Sequence, residues 1–189
     1  MRRPRHLELV NAAAELDDHA LLARLREPAC VTEFVRRHQS RLLRLASAML
    51  NNRADAEEVV QDTFLQAFRA ADGFRGDAQV TTWLHTICYR QVLSRRRRRH
   101  LPTVGDEQLA SRAAVQQDTV TAMALAAAIE ELPDVNREAF VLVDVLGFSR
   151  ADAAEITRTE ANTMRARVAR ARLLLADLLE PATEGDQIR

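Results

Sequence analysis

The stretch SRADAAEITRTEANTMRARVARAR, residues 149–172, predicts two helices separated by a tight break near Arg158. Ser149 and Asp152 have the spacing of a capping box, which would start the first helix. One apolar stripe follows the helical period along the second helix: Met164, Val168, Ala171 and Leu175. Two helices joined in this way have the proportions of a helix-turn-helix.

The second helix of this pair is basic on the faces that its apolar stripe leaves open. Residues 163–172 contain four arginines and no acidic residue, whereas residues 122–189 as a whole carry eight arginines and twelve acidic side chains. A charged solvent face would normally include interspersed Glu. Because arginine is attracted by phosphates and can pair bidentately with guanine, this pattern favours a recognition helix in the major groove.

The rest of the chain also has the composition of an all-α protein, with only five glycines in 189 residues. Asp17 or Asp18 can cap a first short helix, the segment 55–58 resembles a capping box, and Asp77 can cap the helix after it. The inward set predicted for that helix is Leu84, Ile87, Cys88 and Val92. In the back half, Leu125, Ile129 and Leu132 share a helical stripe, and a second helix over about 136–146 would end at Gly147.

These helices divide into two small domains. Residues 31–100 carry 13 arginines and seven acidic side chains, so this part of the chain is basic. The chain as a whole is balanced, with 27 basic and 27 acidic residues. The segment after residue 100 contains a Pro, a Gly and no apolar stripe, which indicates a flexible linker. The predicted organisation is a domain at 1–100, a linker at 101–121, a helix-turn-helix domain at 122–180 and a tail at 181–189.

Composition and motifs exclude several classes of protein. Every basic residue is arginine, a bias that a GC-rich genome also produces. Cys30 and Cys88 belong to no CxxC or Cys/His cluster and are interpreted as reduced packing residues, so no metal site is expected. The N-terminus lacks the apolar core of a signal peptide, and no apolar run reaches eighteen residues, which predicts a cytoplasmic protein without membrane insertion. Enzyme motifs are absent, so neither catalytic residues nor cofactors are expected.

Two further segments of the front half have a functional interpretation. In residues 83–100, aromatic and small polar side chains precede five consecutive arginines, Arg95–Arg99, on one predicted helix. An arginine run alone is usually a solvated tail, but together with Trp83 and Tyr89 it favours nucleic-acid binding. In residues 55–68, capping and core packing explain most of the pattern, and spacing alone does not derive a protein-docking face there.

The order of these segments resembles the extracytoplasmic-function (group IV) branch of the sigma-70 family. Residues 55–69 resemble that family's polymerase-clamp-binding motif, and residues 74–84 its promoter-melting segment. Residues 87–99 resemble its −10-reading helix end, and residues 132–172 its −35-reading domain. The resemblance implies a sigma factor whose partners are core RNA polymerase, promoter DNA and an anti-sigma protein. It also implies that melting captures the non-template strand with a base flipped out of the stack.

The resemblance also implies site residues, carried over by position. The clamp-binding motif supplies Glu58, Gln61, Asp62 and Gln66. The −10 recognition and melting set is Phe74, Arg75, Thr81, Thr82, Trp83, Arg90, Arg95, Arg96 and Arg97. The −35 set is Asn162, Thr163, Arg165, Ala166, Arg167 and Arg170.

The sequence departs from the family pattern in two places. Thr157-Arg158-Thr159-Glu160 stands where the family usually has Leu-Gly-Ile-Ser, so the turn is expected to be looser or differently shaped. Arg90 and Ser94 replace a common Asn and Asp, so no base preference is transferred. Two alternatives remain: a helix-turn-helix regulator that acts without core polymerase, and a binding module that has lost promoter recognition. The first leaves residues 55–68 and the Trp83 segment unexplained.

Overall fold

A computed structural model of the chain describes residues 12–50, 52–100 and 119–180. These residues form helices and connecting turns, with no strand among them, which confirms the all-α prediction. They fall into two compact units, one within residues 1–110 and the other within 111–189. Most of the predicted linker and the whole predicted tail lie outside the described residues.

Among the residues that the structure describes, the N-terminal unit has a short helical segment at residues 12–14 and then four α-helices. They are α1 (Asp18–Ala23), α2 (Pro28–Met49), α3 (Arg53–Ala70) and α4 (Val80–His100). A 3₁₀ turn, Ala71–Gly73, follows α3, and α4 packs against both α2 and α3. As predicted, an aspartate caps the first helix: the Asp17 carboxylate accepts from the Ala20 N–H at 2.7 Å.

The core of this unit is formed where α2, α3 and α4 meet. The predicted inward set of α4 is confirmed, because Leu84, Ile87, Cys88 and Val92 are all buried. Phe34 of α2 is fully buried and meets the ring of Phe64 of α3 edge-on at 6.3 Å. This packing fixes which faces of α3 and α4 remain outside, and those faces carry the candidate site residues of the two helices except Thr82, which is buried.

Two of the predicted helix caps are wrong. Helix α3 is capped by Asn52, whose side-chain oxygen accepts from the Asp55 N–H at 3.2 Å, so Asp55 belongs to the first turn. Its carboxylate is therefore available to bind a residue of α4. Asp77 lies three residues before the start of α4 at Val80 and pairs instead with Arg75 at 3.3 Å.

Within residues 119–180, the described part of the C-terminal unit, there are also four α-helices. They are α5 (Thr119–Glu131), α6 (Asp134–Phe140), α7 (Arg150–Thr157) and α8 (Ala161–Leu179). A π-helical turn, Val141–Val145, extends α6, and Gly147 follows with the positive φ of +74° that favours glycine. Helix α5 begins three residues earlier than the predicted domain, so residues 119–121 of the predicted linker are helical.

The core of the C-terminal unit is organised around the stripe of α8. All four of its predicted members are buried: Met164, Val168, Ala171 and Leu175. Helix α5 differs from the prediction, because Leu125 is 38% exposed. The line that meets Ala171 and Leu175 instead runs through Ala128 and Leu132, with Ile129 packed beside it.

Candidate nucleic-acid interfaces

The sequence predicts a turn between α7 and α8 that is looser or differently shaped, and the structure shows a turn that is closed by hydrogen bonds. Arg158 adopts the left-handed conformation, with φ +53° and ψ 49°, at the position where a helix most often ends in glycine. The Thr159 N–H then donates to the Ala154 carbonyl at 2.9 Å, the long bond of a Schellman motif. The turn therefore places arginine in a left-handed conformation that favours glycine, at the steric cost of its Cβ.

Replacing Arg158 with glycine should stabilise the C-terminal unit by about 0.5–1 kcal/mol, because glycine adopts a positive φ without the steric cost of a Cβ. Arg158→Ala keeps the Cβ and removes the charge, so it should give no gain. Hydrogen exchange of peptides from residues 123–180 would measure both. Equal stabilisation by the two variants would show that charge rather than backbone strain sets the effect.

Helix α8 separates its residues into a buried face and an outward face, as the sequence predicts. Asn162, Thr163, Arg165, Ala166 and Arg170 of the predicted −35 set are exposed, and Arg167 is half-buried. Arg172 belongs to a different interaction, because its Nη2 donates to Asp144 at 2.6 Å. Arg165 and Arg170 thus present guanidinium groups on a surface to which α8 contributes no acidic residue before Asp177.

An aromatic pair lies where the −10 melting segment is predicted. The rings of Phe74 and Trp83 are 5.0 Å apart and tilted by 46°, and both side chains are half-buried. Thr81 is half-buried and Arg75 is exposed. Thr82 differs from these residues: it is only 2% exposed, so its side chain does not belong to this surface.

The arginines of α4 do not share one environment. Arg90 and Arg97 are exposed and Arg96 is half-buried, whereas Arg95 folds back onto α3. Its Nη2 donates to the Asp55 carboxylate at 2.7 Å and to the Glu58 carboxylate at 2.6 Å. The hydrogen bonds that Arg95 donates to these two carboxylates raise the pKa of its guanidinium, which stays charged. Arg95 therefore ties α4 to α3 and is not free in this structure to meet DNA.

The predicted clamp-binding residues lie on α3, but two of them also bind α4. Glu58 bonds to Arg95, and the Gln66 Oε1 accepts from the Gln91 amide at 2.6 Å. Gln61 is exposed and Asp62 is half-buried beside it. Gln61 and Asp62 take no part in these two contacts. Their side chains can therefore be changed without breaking either of them.

Both cysteines are buried free thiols, as the sequence predicts. Burial raises the pKa of the Cys88 thiol to about 12, so it stays protonated and unreactive at neutral pH. Among the residues that the structure describes, no group of three His, Cys, Asp or Glu side chains is placed to hold a metal ion.

Known proteins are similar to this chain over both units. Residues 34–101 match the model of sigma-70 region 2, and residues 122–175 match that of sigma-70 region 4. Over 158 residues the chain is 39% identical to the ECF RNA polymerase sigma factor SigM of Mycobacterium tuberculosis, covering 83% of this chain and 81% of SigM. The chain is an extracytoplasmic-function sigma factor of the sigma-70 family.

Solved sigma factors share the fold. CnrH, in complex with the cytosolic domain of CnrY, superposes with a TM-score of 0.67 at 26% identity, over 86% of this chain and 96% of CnrH. RpoE of Bartonella quintana, in complex with the anti-sigma factor NepR, gives 0.60 at 28% identity, over 79% of this chain and 98% of RpoE. This sigma factor therefore functions as an RNA polymerase initiation factor. Among its described residues, no helix is long and apolar enough to cross a membrane.

Several side-chain contacts within the C-terminal unit of this sigma factor do not follow from the sequence pattern. Arg137 is nearly buried and donates to the carbonyls at the end of α5. Asn136 donates through Nδ2 to the Arg167 carbonyl at 3.1 Å, and the Thr159 hydroxyl accepts from Arg167. One available signal pointed to Arg137: Pro133 ends α5 abruptly, so its last carbonyls need donors from elsewhere.

Proposed function

We propose that the two units of this sigma factor divide promoter recognition between them. Residues 1–100 bind the polymerase clamp and open the −10 element, and residues 122–180 read the −35 element as a duplex. One observation carries the proposal for the C-terminal unit: α8 buries its apolar stripe and directs Arg165 and Arg170 outward. A basic outward face on the second helix of a helix-turn-helix suits the major groove.

The −10 assignment is supported by aromatic and arginine side chains of α4 and of the segment before it. Opening a duplex requires partners for unstacked bases and cations for the backbone. The Phe74–Trp83 pair supplies aromatic surface at the start of α4, and Arg90 and Arg97 supply exposed charge further along the helix. Arg95 contributes indirectly, because it holds α4 against α3.

The sigma factor acts, under this proposal, without catalysis and in the cytoplasm, where promoter DNA and polymerase are found. An anti-sigma protein is a further proposed partner. It is supported by the complexes in which CnrH and RpoE were solved, and by Leu65, an apolar side chain half exposed on the same helix as Gln61 and Asp62. A soluble protein that covered this helix would compete with the clamp.

The decisive experiment adds the purified full chain to core RNA polymerase and sequences the transcripts made from genomic DNA. We expect initiation at a defined group of promoters that core polymerase alone does not use. Binding to duplex DNA with no effect on polymerase would instead support a helix-turn-helix regulator. Failure to bind core polymerase would contradict the proposal for residues 1–100.

Clamp binding should depend on Asp62. We expect Asp62→Arg to weaken affinity for core polymerase roughly tenfold, because an acidic side chain on a docking helix is expected to face basic groups of its partner, and these would repel an arginine. Glu58 is a poorer choice, since its carboxylate also holds Arg95. Glu15→Arg makes the same charge change at an exposed position outside the predicted motif and serves as the control. Equal affinities of the two variants would remove Asp62 from the clamp surface.

A further inference from the structure

The turn of the helix-turn-helix contacts the recognition helix through one side chain. The Oγ1 of Thr159 accepts a hydrogen bond from Nη1 of Arg167, at 3.2 Å, across eight residues of sequence. Thr159 is one of the residues that depart from the family's Leu-Gly-Ile-Ser turn, where an apolar isoleucine could not accept this bond. The unusual turn therefore adds a polar contact to α8.

Thr159 is a well-fixed acceptor. Its backbone N–H is bound to the Ala154 carbonyl at 2.9 Å, in the Schellman motif that Arg158 makes possible. Its side chain is β-branched, which restricts rotation about χ1. The hydroxyl thus occupies a position set by the end of α7 rather than by α8.

Arg167 differs from the other outward arginines of α8. Its backbone carbonyl accepts from the buried Asn136 at 3.1 Å, and its side chain is half-buried whereas those of Arg165 and Arg170 are exposed. The hydroxyl of Thr159 occupies one of its five N–H donors without neutralising its charge. The remaining donors keep the planar fork that matches the O6 and N7 acceptors of guanine.

We propose that Thr159 is a positioning residue, which holds the Arg167 guanidinium in one orientation so that Arg167 reads a base edge of the −35 duplex. The inference rests on the proposed function of the C-terminal unit. Fixing a long side chain before binding removes the entropy cost of ordering it at the interface. The threonine at position 159, in place of the family's isoleucine, then increases selectivity for the −35 sequence instead of reducing it.

The test uses the full chain and a short duplex that the wild-type protein enriches from a randomised library, with a scrambled duplex as reference. We expect Thr159→Val to bind the enriched duplex roughly fivefold more weakly, because an unheld rotamer-rich side chain must be ordered on binding. Binding to the scrambled duplex should not change. Thr159→Ser retains the hydroxyl and should bind like wild type, and Thr159→Val should cause no further loss when Arg167 is already Ala.

Other outcomes overturn the inference. Thr159→Val and Arg167→Ala losses that multiply would show that the two residues act independently. An equal loss on both duplexes would assign Arg167 to phosphate. If Thr159→Val unfolds the C-terminal unit, Thr159→Ala is measured in the same series. If the wild-type chain enriches no sequence, the −35 assignment itself fails, an outcome distinct from any failure of Thr159 alone.

Discussion

Replacing Arg165 and Arg170 together with alanine should reduce affinity for the −35 duplex about a hundredfold and leave affinity for core polymerase unchanged. Both guanidinium groups are exposed on the outward face of α8, opposite the buried stripe that holds the helix in its unit. Each lost base or phosphate contact costs about 1–3 kcal/mol, and two such losses multiply when the sites are independent. Titration of a labelled promoter duplex measures the first affinity, and titration of core polymerase measures the second.

A matched control separates contact from net charge. Arg24→Ala with Arg26→Ala removes the same charge from two exposed positions before α2, a surface that belongs to neither proposed interface. We expect that double variant to bind duplex like wild type. Arg165→Lys with Arg170→Lys keeps the charge but loses the planar fork, so it should lower sequence preference more than total affinity. If the alanine and lysine variants both bound the duplex as tightly as wild type, neither arginine would contact DNA.

The faces of α4 and α8 were predictable because helical periodicity is local. Burial of Leu84, Ile87, Cys88 and Val92 follows from spacing within one helix, and no knowledge of the neighbouring helices is needed. Leu125 shows the limit of this reasoning. It shares a stripe with Ile129 and Leu132, but the line that α5 buries was set by Ala171 and Leu175 on another helix.

Pairs distant in sequence were not predictable. Arg95 lies 40 positions from Asp55, and Arg172 lies 28 from Asp144, so no spacing rule connects either pair. The sequence places Arg95 in a run that looks uniformly available to DNA. The structure shows that the α3–α4 packing brings two carboxylates to this one arginine, because Asn52 takes over the capping that Asp55 was expected to provide. The prediction of the wrong cap therefore led to the wrong environment for Arg95.

The contacts of Arg137 were not predictable from sequence spacing either. Replacing this residue should have the largest effect on stability that we expect. Arg137→Ala should destabilise the C-terminal unit by about 3 kcal/mol. The side chain is only 10% exposed, and its guanidinium donates to the carbonyls of Ile129 and Leu132, each at 2.9 Å, and to that of Glu130. Pro133 prevents α5 from continuing, so the end of the helix depends on Arg137 for donors, beside one 3.3 Å bond from the Leu132 N–H to the Ile129 carbonyl. Leaving partly buried acceptors unpaired costs about 1–3 kcal/mol for each group.

The destabilisation should be confined to one unit and should depend on donor number. Hydrogen exchange of peptides from residues 123–180 should accelerate in Arg137→Ala, while exchange in residues 28–98 stays unchanged. Arg137→Lys should fall between alanine and wild type, because a compact ammonium lacks the planar five-donor fork that reaches three carbonyls at once. Arg150→Ala removes an exposed arginine from the same unit and should change stability by less than about 0.5 kcal/mol. If Arg137→Ala also changed stability by less than about 0.5 kcal/mol, water would be the donor to the carbonyls at the end of α5. The junction of α5 and α6 would then be stabilised by Leu132 and its apolar neighbours instead.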